Sequence, residues 1–243
     1  MESKLMLAAR PIHRDIPGVE LLLIRHAQPA WVVDGKSELD PRLTKLGHRQ
    51  TEKLAHRLAS LKDKPTTLLM SPTTRTRQTA GPLAQALGVA PQTVDELREI
   101  EMNPDWAGQP AEAVGTTLRA IKGRPPDEWW TGLPGGEPYQ TFHERVVREL
   151  EDILRARGFE PAPPLWSGPE RDERLVFVTH GGTNAVLLGH LLGLPAVPWA
   201  WERFVTRHAS VTRLRLGPLM GGLMFGLREL SDVDHLEGKE RTR

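Results

Sequence analysis

The chain has no cysteine. Disulfides, thiolate metal sites and cysteine nucleophiles are excluded together. It has no long apolar run either. Stretches such as residues 21–24 and 185–188 fall far below the roughly 18 residues that a membrane-spanning helix needs. Neither sign of charge prevails: 32 lysines and arginines face 31 aspartates and glutamates, for a net charge of +1. A general nucleic-acid binder usually shows a clear basic excess, so neither nucleic acid nor membrane is expected as a partner. No export signal is expected either. The apolar stretch at residues 5–9 is short, and Arg10, Arg14 and Asp15 follow at once. The expected compartment is therefore the cytoplasm. No internal repeat occurs, and no feature specifies an oligomeric state.

What is present suits a folded chain. Hydrophobic residues make up 39% and charged residues 26%, which is not the composition of a disordered one. Residues 1–18 read as a loose arm and 231–243 as a polar, frayed tail, leaving 19–230 as one domain. Val19–Arg25 is a short apolar run and reads as a buried strand. A helix follows Thr44, with Leu46, Leu54, Leu58 and Leu61 on one face. Thr67–Met70 reads as a second buried strand. Ser71-Pro72 then offers an N-cap with proline at the first helical position, and that helix should end near Gly88. A weak strand is expected at 92–94.

Residues 103–137 hold glycines, prolines, Trp106, Trp129 and Trp130. They read as a lid or insertion with a helix at 111–122, the tryptophans packing in lid or core. Residues 138–157 form an amphipathic helix stopped by Gly158. A proline-rich loop is expected at 160–172 and a third buried strand at 175–179. Residues 182–192 are apolar nearly all round, a buried helix. Late strands are expected at 210–216 and 223–227. Strands alternating with helices predict an α/β fold, a three-layer α/β/α sandwich with a mainly parallel central sheet. Sites in such sheets lie at the carboxyl ends of the strands.

The residues after the strands are therefore informative. Arg25-His26 follows the first, Ser71-Pro72-Thr73-Thr74-Arg75 the second and His180-Gly181-Gly182 the third. Two histidines and two arginines can converge on one rim. Arg77, two residues from Arg75, must point to nearly the opposite face of its helix. Glu96, Glu99 and Glu101 are all candidate acids nearby. Arg207-His208-Ala209 repeats the first motif but precedes a strand, and reads as a surface echo. His190 reads as a packed core histidine. Gly35-Lys36-Ser37 lacks the first glycine of a P-loop, and no Gly-x-Ser-x-Gly elbow occurs.

Over roughly residues 19–216 the sequence resembles the histidine phosphatase superfamily, the phosphoglycerate-mutase-like group. The likeness rests on Arg25-His26-Ala27, Leu43-Thr44-x-x-Gly47 and Ser71-Pro-x-x-Arg75-x-x-Gln78-Thr79. Leu97-x-Glu99, Gly135-Gly136-Glu137 and His180-Gly181-Gly182 complete it, all in the family's order. The resemblance implies that His26 is the nucleophile taking the phosphoryl group. Arg25, Arg75 and His180 would hold its oxygens, and Glu99 would be the proton donor. Gly181 would let the backbone approach the phosphate. It occupies the place of the aspartate donor found in another branch.

The chemistry agrees. Two guanidiniums and an imidazolium can neutralise a phosphoryl transition state, and arginine's planar fork matches phosphate oxygens. A nucleophilic histidine must be neutral, which an ordinary pKa of about 6.5 permits, and Arg25 and Arg75 should favour that form further. The expected partner is a phosphorylated small molecule, with no cofactor and no metal. After Glu99 the chain lacks the tyrosine-glycine sequence and basic cluster of true phosphoglycerate mutases, and Ala27 and Pro138 replace the commoner glycine and serine. A metal-independent phosphomonoesterase working through phosphohistidine is thus the first reading. A 2,3-bisphosphoglycerate-dependent mutase and a non-catalytic phospho-ligand binding module are the alternatives.

Overall fold

A computed structural model describes residues 18–243; the expected arm, apart from Gly18, lies outside the described residues. In chain order the elements are β1 (Val19–Arg25), a small hairpin of β2 (Val32–Val33) and β3 (Lys36–Ser37), α1 (Lys45–Ala59), β4 (Thr67–Met70), α2 (Thr74–Leu87) and β5 (Pro91–Thr93). There follow α3 (Ala111–Ile121), α4 (Tyr139–Arg155), β6 (Glu160–Ala162), β7 (Leu165–Ser167), β8 (Glu173–Thr179) and α5 (Gly181–Leu191). The last are α6 (Ala200–Arg203), β9 (Val211–Leu219) and β10 (Gly222–Asp232).

Eight strands form one sheet in the order β5-β4-β8-β1-β9-β10-β7-β6. From β5 to β1 the pairing is parallel; from β1 to β6 it is antiparallel. β1 and β8 are apolar at successive positions because helices cover both faces. Leu21, Leu23, Leu175 and Phe177 pack with Phe142, Val146 and Leu150 of α4 and Val186 to Leu188 of α5. Leu22, Ile24, Val176 and Val178 pack with Leu54 and Leu58 of α1 and Leu83 of α2. The three expected layers are present. β9 and β10 are half exposed, as suits an antiparallel extension covered on one side.

Several local expectations are corrected. Ser71 does not cap α2; the helix begins at Thr74, after Thr73. The Ser71 hydroxyl instead meets His180 Nε2 at 2.8 Å. The helix's first N–H is served from a distance, the Asp40 carboxylate accepting from Thr74 N–H at 2.8 Å and from its hydroxyl at 2.7 Å. The loop at 160–172 contains the β6–β7 hairpin, tolerated with its prolines because it is a sheet edge. Trp166 anchors it, its ring edge-on to Phe225 with centroids 5.6 Å apart. Nor is the tail at 231–243 frayed. Val233 and Leu236 are buried with the α1–α2 layer. Gln50 Nε2 donates to Glu240 O at 2.6 Å and to Thr242 Oγ1 at 2.9 Å.

Candidate active site

β1, β4 and β8 run parallel and end at one edge, so the residues after them meet. His26 N–H still donates to Thr179 O at 2.9 Å, which continues the β1–β8 ladder by one residue. The His26 and His180 ring centroids are 5.3 Å apart. Both side chains are buried. His26 Nδ1 lies 2.9 Å from Ala27 O. A carbonyl can only accept, so Nδ1 carries the proton and Nε2 keeps the lone pair. Burial, then His180, Arg75 and Arg25, push the His26 pKa well below the ordinary histidine value. His26 is held neutral, as expected, but burial is the larger cause.

His180 departs from expectation. Burial and the nearby Arg75, Arg25 and Arg145 push its pKa well down too, which favours a neutral ring over the expected imidazolium. Its Nε2 engages Ser71, while its Nδ1 is buried without a partner.

Arg25 and Arg75 supply the positive charge. Burial pulls both down from the usual arginine value, and Glu99 pulls the other way. Arg25 Nη1 donates to Thr206 O at 2.6 Å. Arg75 lies over the Trp31 ring, 4.9 Å from its centroid, and its Nη1 approaches Asp40 Oδ1 at 3.4 Å. The Nε groups of both arginines are buried without acceptors. Arg77 is exposed, as helix geometry requires. Arg25, Arg75, Glu99 and Gly181 line a cavity of about 760 Å³, within the usual range for small-molecule sites.

Glu99 and Glu101 both line the cavity, but of the three candidate acids Glu99 is the one held against Gly182 at the phosphate end. Its Oε2 accepts from Gly182 N–H at 2.8 Å and its Oε1 from Ile100 N–H at 3.1 Å. Glu101 instead pairs with Arg98 at 3.5 Å. The need for glycine falls on Gly182 more than on Gly181. A Cβ on Gly182 would sit 2.3 Å from Glu99 Oε1, whereas one on Gly181 would meet nothing closer than Arg25 Nε at 3.6 Å.

Arg145 holds the acid's loop, and sequence reasoning missed it. Its Nε and Nη2 reach the two Glu137 oxygens at 2.8 and 2.9 Å. Its remaining N–H groups go to the carbonyls of Glu96, Arg98 and Glu99 at 2.6, 3.1 and 3.0 Å. All five guanidinium donors are therefore used. Gly135-Gly136-Glu137 was the available signal, through its last residue.

His208 was misread. It is buried, not a surface echo, and its ring centroid is 5.6 Å from that of His26. β9 runs antiparallel to β1, with Ile24 opposite Val211. A residue before β9 thus lies at the same edge as one after β1, and the repeated Arg-His-Ala was the signal. Ala209, at φ 55°, turns the chain there and donates its N–H to Arg25 O at 3.1 Å. His208 Nδ1 meets Thr242 Oγ1 at 3.0 Å. Burial, then Arg25, push its pKa down to about 3. His190 is only half buried, its Nε2 3.0 Å from Glu151 Oε1. Trp129 packs with Trp201, centroids 5.9 Å apart, and Trp130 with Tyr139 at 5.7 Å.

The chain matches the histidine phosphatase superfamily (branch 1) over residues 21–219. It is 28% identical over 202 residues to a protein of Salmonella paratyphi C (strain RKS4594) named "Probable phosphoglycerate mutase GpmB", covering 81% of this chain and 84% of that one. A mycobacterial glucosyl-3-phosphoglycerate phosphatase, solved with inorganic phosphate, superposes with a TM-score of 0.66 at 26% identity, over 90% of this chain and 99% of that one. The alpha-ribazole phosphatase of Shigella flexneri shares the fold, with a TM-score of 0.65 at 20% identity over 88% and 96% of the two chains.

Proposed function

The chain belongs to the histidine phosphatase superfamily, branch 1, and we propose that it is a metal-independent phosphomonoesterase acting on a phosphorylated small molecule through a phosphohistidine at His26. One observation carries the reading. Arg25 Nε, Arg75 Nε and His180 Nδ1 are buried polar groups without protein partners, grouped around a neutral imidazole. Unpartnered buried polar groups are costly; a phosphoryl group would accept from both arginine Nε groups, and from His180 Nδ1 with Nε2 accepting from the Ser71 hydroxyl.

The residues then divide the work. His26 Nε2 attacks phosphorus; the N–P bond forms as the bond to the leaving oxygen breaks. Arg25, Arg75 and His180 hold the equatorial oxygens, where charge spreads in the transition state. Glu99 gives its proton to the departing alkoxide and becomes carboxylate. Water next attacks phosphorus, Glu99 takes the water's proton, and the N–P bond breaks. Inorganic phosphate leaves, and His26 returns to its neutral form.

A phosphoglycerate mutase is the second reading, favoured by the name of the Salmonella relative. A phosphate-release assay on a panel of phosphomonoesters, run beside a coupled enolase assay, separates the two. The expected result is phosphate release without interconversion of 2- and 3-phosphoglycerate, even with 2,3-bisphosphoglycerate supplied. Mutase turnover well above phosphate release would overturn the hydrolase reading. Failure to turn over any ester would point to a binding module.

A further inference from the structure

The cavity beyond the phosphate end has its own chemistry. Trp31, Leu118, Ile121, Trp129, Trp201 and Phe204 form much of its wall. Leu118 is 37% exposed, a large apolar side chain left facing open space. The charges on the same wall are largely paired. Away from Arg25 and Arg75, the lining cations are Arg98, Lys122 and Arg243, and the carboxylates Glu101 and Glu202 lie among them. Arg98 pairs with Glu101 at 3.5 Å, and Lys122 and Arg243 with Glu202 at 2.8 and 3.8 Å. Among the described residues, no lining cation outside the phosphate end stands free of a carboxylate. A second anionic group on a substrate would compete with these carboxylates for the same cations, with the buried Arg98 Nε as an unpartnered donor. A hydrocarbon body would cover the exposed apolar wall and displace water from it.

We propose that the substrate is the phosphate monoester of a bulky apolar alcohol or phenol. Its phosphoryl group would lie at Arg25 and Arg75 and its hydrocarbon body against Leu118, Trp129 and Trp201. The assignment rests on the phosphatase reading above and narrows it. Small polyanionic esters, phosphoglycerates included, are the disfavoured class.

The test is a series of n-alkyl phosphates from ethyl to octyl, whose leaving groups are alike. Burying a methylene should raise kcat/KM about threefold to fourfold until the wall is covered. Hexyl phosphate should exceed glycerol 3-phosphate and 3-phosphoglycerate by more than tenfold, and Trp129→Ala should reduce the slope. The matching n-alkylphosphonates, whose C–P bond resists this chemistry, read binding alone by calorimetry, and their affinity should climb in parallel. Rates and affinities indifferent to chain length, with phosphate still released, would overturn the apolar pocket and leave the hydrolase standing. Affinity climbing with chain length while no ester is hydrolysed would support the pocket and sink the hydrolase reading.

Discussion

At the scale of single residues, Glu99 is separated from Glu96 and Glu101 by backbone, not by chemistry. Only Glu99 reaches Gly182 N–H, at 2.8 Å, and only because Gly182 has no side chain to fill that space. Glu99→Gln should therefore slow esters of poor leaving groups by about 10²–10⁴. It should slow p-nitrophenyl phosphate much less, since nitrophenolate departs with little help from an acid. Equal losses on both substrates would remove Glu99 from the role of proton donor. The residues that follow strands were legible in the sequence: Arg25, His26, Arg75 and His180 converge because short motifs follow parallel strands. His208 was not legible in the same way. Its place beside His26 depends on β9 running antiparallel to β1, a pairing between residues some 190 positions apart that periodicity does not reveal. Trp31 and Asp40, which orient Arg75, carry no motif at all.

At the scale of elements, α4 does more than cover the sheet. Its Arg145 ties the Glu96–Glu99 backbone to Glu137, which also accepts from Glu101 N–H at 3.2 Å. Arg145→Lys keeps the charge but cannot reproduce a planar fork that spends five donors. The variant should lower kcat for alkyl phosphates by up to the order of 10²-fold through misplacement of Glu99. It should affect p-nitrophenyl phosphate less and leave inhibition by inorganic phosphate nearly unchanged. Weakened phosphate inhibition would show that Arg145 shapes the anion site instead. The helices were readable wherever an apolar stripe or a terminal glycine marked them: α1 has Thr44 accepting from Gly47 N–H at 2.9 Å, and α2 stops at Gly88 with φ 70°. The β6–β7 hairpin and the C-terminal segment were not readable. Both are short and carry no apolar periodicity, and they are ordered by what they dock on: Phe225 for Trp166, and Gln50 and Lys53 of α1 for the tail.

At the scale of the whole molecule, the fold keeps several histidines neutral. Burial, joined by neighbouring arginines, lowers the pKa values of His26 and His180 well below the ordinary value, of His208 to about 3 and of His235 to about 4. An unfolded histidine titrates near 6.5. Between that value and the lowered ones, the unfolded chain binds more protons than the folded one. The stability these groups contribute is therefore fully present above about pH 6.5 and is lost as pH falls below it. Each such group steepens the loss by about 1.4 kcal/mol per pH unit. Urea midpoints should fall steadily from pH 7 to pH 5, and less steeply for His208→Asn. A level profile over that interval would mean these rings are protonated in the folded protein.

The same neutral state is what the proposed role of His26 as nucleophile requires, and the covalent intermediate is the centre of that proposal. Rapid quenching with substrate labelled in its phosphoryl group tests it most directly. The wild type should yield a phosphoryl-protein stable to base and labile to acid, with the label on the peptide that contains His26. His26→Ala should yield none and should not turn over. A labelled wild type is contradicted as evidence for this site if the label maps elsewhere, and near-normal turnover by His26→Ala would refute the mechanism outright.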